Sequence, residues 1–185
     1  MDHGYIVGVG TNIEPERNSL AVLDKLAARF GSIIVSRMYY TDPVGMKSLG
    51  RFINFSVYVR SHLAPRQFKA VCTGIEIQLG RNRSDPNSKT SDRPADIDLL
   101  VEVPCKELAT VSAGDNAYLL QPTSEIIAVL LETPVPGAKG ELCVIAPLGD
   151  TPTTVDHDDR AGLIVIGQDG LNGHPNRFNT SFLLK

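Results

Sequence analysis

Two stretches of helical periodicity, each flanked by strand-like runs, constrain what this chain can fold into more than any other feature. From Asn18 to Phe30 the apolar residues Leu20, Val22, Leu23, Leu26, Ala27 and Phe30 recur at the spacing of one helix face. Asn18 fits as the N-cap, and Gly31 stands where a helix-ending glycine belongs. A second stripe, Phe68, Val71, Cys72, Ile75 and Leu79, follows Ala64-Pro65 and stops at Gly80. Around these lie Tyr5 to Gly10, Ser32 to Tyr40, Phe52 to Arg60 and Asp96 to Val103, which read as strands. The order β-α-β-β-α-β predicts an α+β fold, a ferredoxin-like core whose antiparallel sheet carries both helices on one face.

Past Pro104 the pattern is sparser. Ala117 to Leu120 reads as a short strand and Ser124 to Leu131 as a helix. Glu132 to Gly140 is rich in Pro and Gly and marks a boundary. Glu141 to Pro147 and Leu163 to Ile166 read as two further strands, and Gly167 to Asn179 is a Gly- and Asn-rich tail. The expected partition is a core over residues 1–133 and an extension over 134–185, which adds C-terminal α/β elements to that core.

The most chemically loaded stretch runs from Arg81 to Leu100. Arg81 and Arg83 open a polar loop, Arg93 closes it, and Asp96 and Asp98 then enter the apolar run Ile97, Leu99, Leu100, Val101. In a strand, residues two apart share a face, so Asp96 and Asp98 lie together while Ile97, Leu99 and Val101 fill the opposite side. Neighbouring carboxylates repel unless a positive charge sits between them. Arginines supply one, and so does magnesium, which favours one or two carboxylates plus substrate phosphates. Asp-x-Asp is nonetheless a common pair, and an Arg-rich loop is more often a solvated loop.

Composition narrows the function classes. A formal net charge of −3 over 185 residues argues against a general nucleic-acid binder and suits a small anionic ligand at the local Arg81–Arg93 cluster. Cys72, Cys105 and Cys143 are odd in number and far apart, which predicts free thiols in a reducing cytoplasm rather than disulfides or a zinc knuckle. The N-terminus shows no signal-peptide pattern, and no apolar run approaches the ~20 residues that span a bilayer. A cytoplasmic monomer with no membrane partner is the expectation.

Other motifs carry less. Gly8-Val9-Gly10 lacks the third glycine of a dinucleotide fingerprint, so close packing or a tight turn is its better explanation. Asp156-His157-Asp158-Asp159 reads as a solvated turn rather than a metal site, and His3, His62 and His174 are isolated. Thr41-Asp42-Pro43-Val44-Gly45 is a turn with free backbone groups. Phe52 and Asn54, two apart on a strand, offer an aromatic face and an amide. Together these parts suit a flat heterocycle, although a core aromatic, a surface amide and a plain turn account for them as well.

The series Gly8-Val9-Gly10-Thr11-Asn12, Ser36 to Gly45 (SRMYYTDPVG), Phe52-Ile53-Asn54, Ile75-Glu76, Leu79-Gly80-Arg81-Asn82-Arg83 and Arg93-Pro94-Ala95-Asp96-Ile97-Asp98-Leu99-Leu100 resembles the 6-hydroxymethyl-7,8-dihydropterin pyrophosphokinases of folate biosynthesis. The likeness covers roughly the first 100 residues in collinear order. It implies transfer of the β,γ-pyrophosphoryl group of ATP to the pterin hydroxymethyl oxygen, leaving AMP. By the same resemblance, Asp96 and Asp98 hold two magnesium ions bridging the ATP phosphates, and Arg81 and Arg93 act in catalysis. Arg81, Arg83, Arg93 and Leu99 contact ATP. Thr41, Pro43, Val44, Phe52, Asn54 and Tyr118 contact the pterin. The chain departs from the family where Ser91-Asp92 replace the usual Gly-Pro and Thr90 replaces a loop tryptophan. The histidine and arginine expected in Val111 to Pro122 are absent as well. A non-catalytic pterin- or nucleotide-binding protein on the same fold is the alternative.

Overall fold

A computed structural model describes residues 3–46, 48, 50–88, 90–103, 117–145, 148–158, 160, 163–167 and 176–177. Cys105, His174 and the Val111–Asn116 segment lie outside these residues, as does most of the Gly167–Asn179 tail. The elements are β1 (His3–Thr11), α1 (Pro15–Phe30), β2 (Ile33–Val35), β3 (Tyr39–Thr41), β4 (Phe52–Ser61), α2 (Pro65–Gln78) and β5 (Asp96–Val103). They continue with α3 (Ala117–Leu130), β6 (Glu141–Leu142), β7 (Thr153–Asp158), β8 (Leu163–Gly167) and β9 (Asn176–Arg177). The sheet runs β5-β1-β4-β2-β7-β8-β9, with β3 beside β4 and β6 beside β3, and every described pairing is antiparallel. The first four strands in that order are the ferredoxin-like core.

Strand alternation divides the side chains between two layers. Tyr5, Val7 and Val9 of β1 and Ile53, Phe55, Val57 and Val59 of β4 are fully buried with Leu23 and Leu26 of α1 and Phe68 and Cys72 of α2. The even-numbered residues face the other way, where Ile6 packs with Val103 and with Ile126 of α3. Both expected helices therefore share one face, and α3 covers part of the other. The part it leaves open is a cleft. Burial pushes the Cys72 thiol up to about 12, so this cysteine behaves as a small apolar core residue.

Four local expectations need correction. Helix α1 begins three residues before Asn18: Pro15 takes the first turn and Glu14, in the left-handed region (φ 41), takes the cap position. Asn18 instead donates from its side chain back to Ile13 O at 2.6 Å. The Ser32–Tyr40 run is two strands, because Ser36 Oγ accepts from Ser56 N (2.9 Å) and Arg37 N turns to Glu125 (2.9 Å). Ala117 to Leu120 is the first turn of α3, and Pro122 lies within that helix. Residues 153–158 are strand β7 rather than a turn, with Asp156 accepting from Ser32 Oγ and His157 lying 3.7 Å from Asp24.

Glu125, fully buried, organises the junction between α3 and the sheet. Its carboxylate accepts from Arg37 Nη1 (3.1 Å), Gln121 Nε2 (3.1 Å) and the Tyr39 hydroxyl. Arg37 also donates to Pro136 O and Asp150 O, which ties the start of the extension to the core. Burial and the Glu125 carboxylate together hold the Tyr39 phenol up at about 12. The arrangement fixes the register of α3, and with it the position of Tyr118.

Candidate active site

An open cleft with a volume of about 160 Å³ lies on the sheet face that α3 leaves uncovered, smaller than the ~300–1,000 Å³ typical of closed small-molecule sites. Gly8 and Gly10 of β1 form its floor. A Cβ on Gly10 would come within 2.8 Å of Asn54 Oδ1, and one on Gly8 would collide with Leu119 of α3. The two glycines are thus close-packing glycines. Phe52 and Asn54 rise from β4, Tyr118 from α3, Thr41 from the end of β3, and Asp42, Val44 and Met46 from the loop that follows it. Asn54 is buried and donates to Thr41 Oγ1 at 2.6 Å, so its amide orientation is fixed. Val44 is 75% exposed at the cleft mouth.

The opposite wall is charged. Asp96, Asp98 and Arg93 line it. Asp96 accepts from Arg81 Nη1 with one oxygen and from Arg93 Nη1 with the other. Burial alone would raise the Asp96 carboxyl, but the two guanidinium groups outweigh it and hold the group below its ordinary value. Asp98 is more exposed and pairs with Lys69 Nζ at 3.0 Å. The Tyr118 phenol is raised by burial first and then by the charges of Asp96 and Asp98, so it remains a neutral hydroxyl beside them. Arg93 lies over the Phe52 ring, 5.8 Å from its centroid, and joins the aromatic wall to the charged one.

Eight of the residues named from sequence, Thr41, Val44, Phe52, Asn54, Arg93, Asp96, Asp98 and Tyr118, line this one cleft. The other four stand elsewhere. Leu99 packs on the helix side of the sheet with Ile97. Pro43 lies in the turn between Asp42 and Val44. Arg81, 8% exposed at its side chain, is held behind Asp96 by Glu76 and Ala95 O. Arg83 gives both Nε and Nη2 to Glu76. The shared face of Asp96 and Asp98 holds, but a register shift opposite Ile6 and Val7 sends Val101 to the α3 side with Leu100, not to the side of Ile97.

Three residues given no role from sequence support the site; two of them, Asn12 and Glu76, lie within the motifs that carry the resemblance. Glu76, fully buried on α2, accepts from Arg81, Arg83 and Ile97 N. The available signal was an acidic residue inside an apolar helical stripe, five and seven residues before two arginines. Asn12 clips three loops together: its side chain donates to Asp92 (2.6 Å) and Ser48 (3.2 Å) and accepts from Arg93 N (2.7 Å), and its own N donates to Arg93 O (3.1 Å). Asp92, held by Asn12, is thus restrained by a side-chain hydrogen bond directly before Arg93. Lys69 is the third, and its only sequence signal is its place beside Phe68 on α2.

Comparison with known proteins agrees with this geometry. The pattern of the family described as 7,8-dihydro-6-hydroxymethylpterin-pyrophosphokinase matches residues 6–149. A 2-amino-4-hydroxy-6-hydroxymethyldihydropteridine pyrophosphokinase of Porphyromonas gingivalis is 33% identical over 141 residues, covering 70% of this chain and 95% of that protein. Proteins of the same name from Methylorubrum extorquens (32% over 135 residues, 68% of this chain and 83% of that one) and Bacillus subtilis (32% over 105 residues, 55% and 60%) are also similar. The chain belongs to the 7,8-dihydro-6-hydroxymethylpterin-pyrophosphokinase family.

Proposed function

We infer that the protein transfers the pyrophosphoryl group of ATP to the hydroxymethyl group of 6-hydroxymethyl-7,8-dihydropterin, releasing AMP, as a step of folate synthesis. The observation that carries this reading is the meeting, in one cleft, of an aromatic and amide wall with a wall of paired carboxylates and arginines. The first wall suits a flat heterocycle with a hydrogen-bonding edge. The second suits a polyphosphate.

Phe52 and Tyr118 are assigned to the faces of the pterin and Asn54 to its polar edge, with Thr41, Pro43 and Val44 presenting backbone groups from the turn. Arg81, Arg83 and Arg93 are assigned to the phosphates and Leu99 to the ATP side. Asp96 and Asp98 would hold magnesium, as two ions. The donor set fits: two carboxylates on one strand face are hard oxygen ligands. Among the described residues no group of three or more metal-type side chains occurs, so phosphate oxygens and water would complete the coordination. Magnesium bound there would neutralise phosphate charge and align the β-phosphorus with the attacking oxygen. With magnesium on Asp96, Arg81 and Arg93 would turn from that carboxylate toward the triphosphate, Arg81 keeping its tie to Glu76. The pyrophosphokinase core is assigned to residues 1–133. Residues 134–185 extend the same sheet through β6 to β9, and none of the described residues among them lines the cleft.

The direct test is incubation with ATP, magnesium and 6-hydroxymethyl-7,8-dihydropterin, followed by chromatography for AMP and the pterin diphosphate. Both products are expected in equal amounts. Saturable pterin binding in calorimetry without AMP would instead leave a binding protein.

Gly10 gives a steric check on the pterin assignment. Its Cβ, placed 2.8 Å from Asn54 Oδ1, must displace the amide from the slot. Gly10→Ala is expected to raise the KM for pterin by on the order of tenfold, about 1.4 kcal/mol, with the KM for ATP little changed. An equal rise in both constants would count against Asn54 as a pterin contact.

A further inference from the structure

Strand β5 is an edge strand of the sheet, so the outward N–H and C=O groups of Ile97 have no strand partner among the described residues. Two side chains of α2, one face of the helix and two turns apart, supply partners. Glu76 Oε1 accepts from Ile97 N at 2.7 Å, and Lys69 Nζ donates to Ile97 O at 2.6 Å. The same ammonium group lies 3.0 Å from Asp98 Oδ1. Lys69 is therefore held at two points beside a carboxylate of the cleft wall, on a rigid helix rather than a loop.

We propose that Lys69 is a built-in counter-ion of Asp98 that keeps free divalent cations out of the cleft and makes the metal depend on the triphosphate for binding. This rests on the assignment of Asp98 as a metal ligand. The ion-paired set comprises Glu76, Asp96 and Asp98 against Arg81, Arg83, Arg93 and Lys69, which leaves one positive charge in excess. A bare dication meets a site with a surplus positive charge and must compete with an ammonium for Asp98. A dication arriving with a triphosphate brings negative charge that the arginines and Lys69 attract. Lys69 thus sets the order of charge entry without touching the reacting atoms, as a positioning residue.

The pair is partly exposed, 35% at Lys69 and 55% at Asp98, so it adds little to stability and Lys69 can be replaced without unfolding the protein. Manganese serves as the probe, followed by electron paramagnetic resonance of the free ion with the full-length protein. Without nucleotide, Lys69→Met is expected to bind manganese on the order of tenfold more tightly than the wild type, the effect of removing one like charge screened by water. Lys69→Arg should match the wild type, and the gain in Lys69→Met should vanish in the double variant with Asp98→Asn. With a non-hydrolysable ATP analogue present, Lys69→Met and the wild type should converge. Equal manganese affinity of Lys69→Met and wild type without nucleotide would overturn the proposal. Asp98→Asn in the wild-type background, measured with the analogue, tests the ligand assignment separately. If that substitution leaves manganese binding unchanged, Asp98 is not a ligand, whatever Lys69 does.

Discussion

Replacing Asp96 with asparagine is expected to lower AMP formation by at least ~10²-fold at saturating substrates while leaving a folded protein. The expectation rests on position. Asp96 is the one cleft carboxylate bonded by two arginines at once, Arg81 from behind and Arg93 from the cleft side. Asparagine keeps an oxygen for one guanidinium but lacks the charge that would hold a dication or release both arginines to phosphate. Alanine removes both functions and leaves Arg81 and Arg93, 8% and 13% exposed, without that carboxylate, so activity lost in Asp96→Ala mixes chemistry with stability. Retained turnover in Asp96→Asn, with an unchanged magnesium requirement, would remove Asp96 from the metal set. Acid titration gives a second readout. The folded Asp96 carboxyl is held below its ordinary value, so its contribution to stability is complete above an unfolded pKa of ~3.9 and is lost as pH falls through the lower folded value. The wild type should lose stability below about pH 4 more steeply than Asp96→Asn, as read by denaturation midpoints across the acid range.

Sequence reading reached the site where local periodicity decides and missed it where distant partners do. Asp96 with Asp98, and Phe52 with Asn54, are paired by the two-residue strand period, and each pair faces the cleft. The core helices and strands followed from stripes that tertiary packing only reinforced. The break between β2 and β3 depends on Glu125, 88 residues after Arg37, and no local pattern contains it. Val101 changed face because of an irregularity in register against β1, which a strict period of two cannot anticipate. Leu119 and Leu120 near Pro122 looked like the end of a strand, yet α3 continues through that proline despite the backbone hydrogen bond it removes, and the helix carries Tyr118 into the cleft. The arginines show the same limit. Their spacing pointed to phosphate, whereas their resting partners include a buried glutamate on the preceding helix.

That glutamate is where the largest stability effect is expected. Glu76 is fully buried and accepts from Ile97 N at 2.7 Å, from Arg81 Nη1 at 3.2 Å and from Arg83 through both Nε and Nη2. One side chain therefore caps the edge strand that bears both aspartates and anchors Arg81 and Arg83, the two arginines that open the loop. Glu76→Ala would remove the acceptor from Ile97 N, and it would leave Arg81, whose Nε already lacks a hydrogen-bond partner among the described residues, with Asp96 as its remaining carboxylate. Breaking one side of a buried ion pair costs about 3–5 kcal/mol, a large fraction of a domain's total stability. Glu76→Gln keeps the shape and the acceptor for Ile97 N but not the charge, and should cost about half as much. Urea denaturation of the three proteins should rank wild type, Gln, Ala in that order, with unchanged m-values if the unfolded state is unaffected. A loss under ~1 kcal/mol in Glu76→Ala would mean that solvent or Asp96 takes over the arginines, and Glu76 would then not be the anchor of the charged wall. If the order holds, the aspartates and arginines of this site share one internal support, and resting charge on the loop is balanced from within the fold before any ligand arrives.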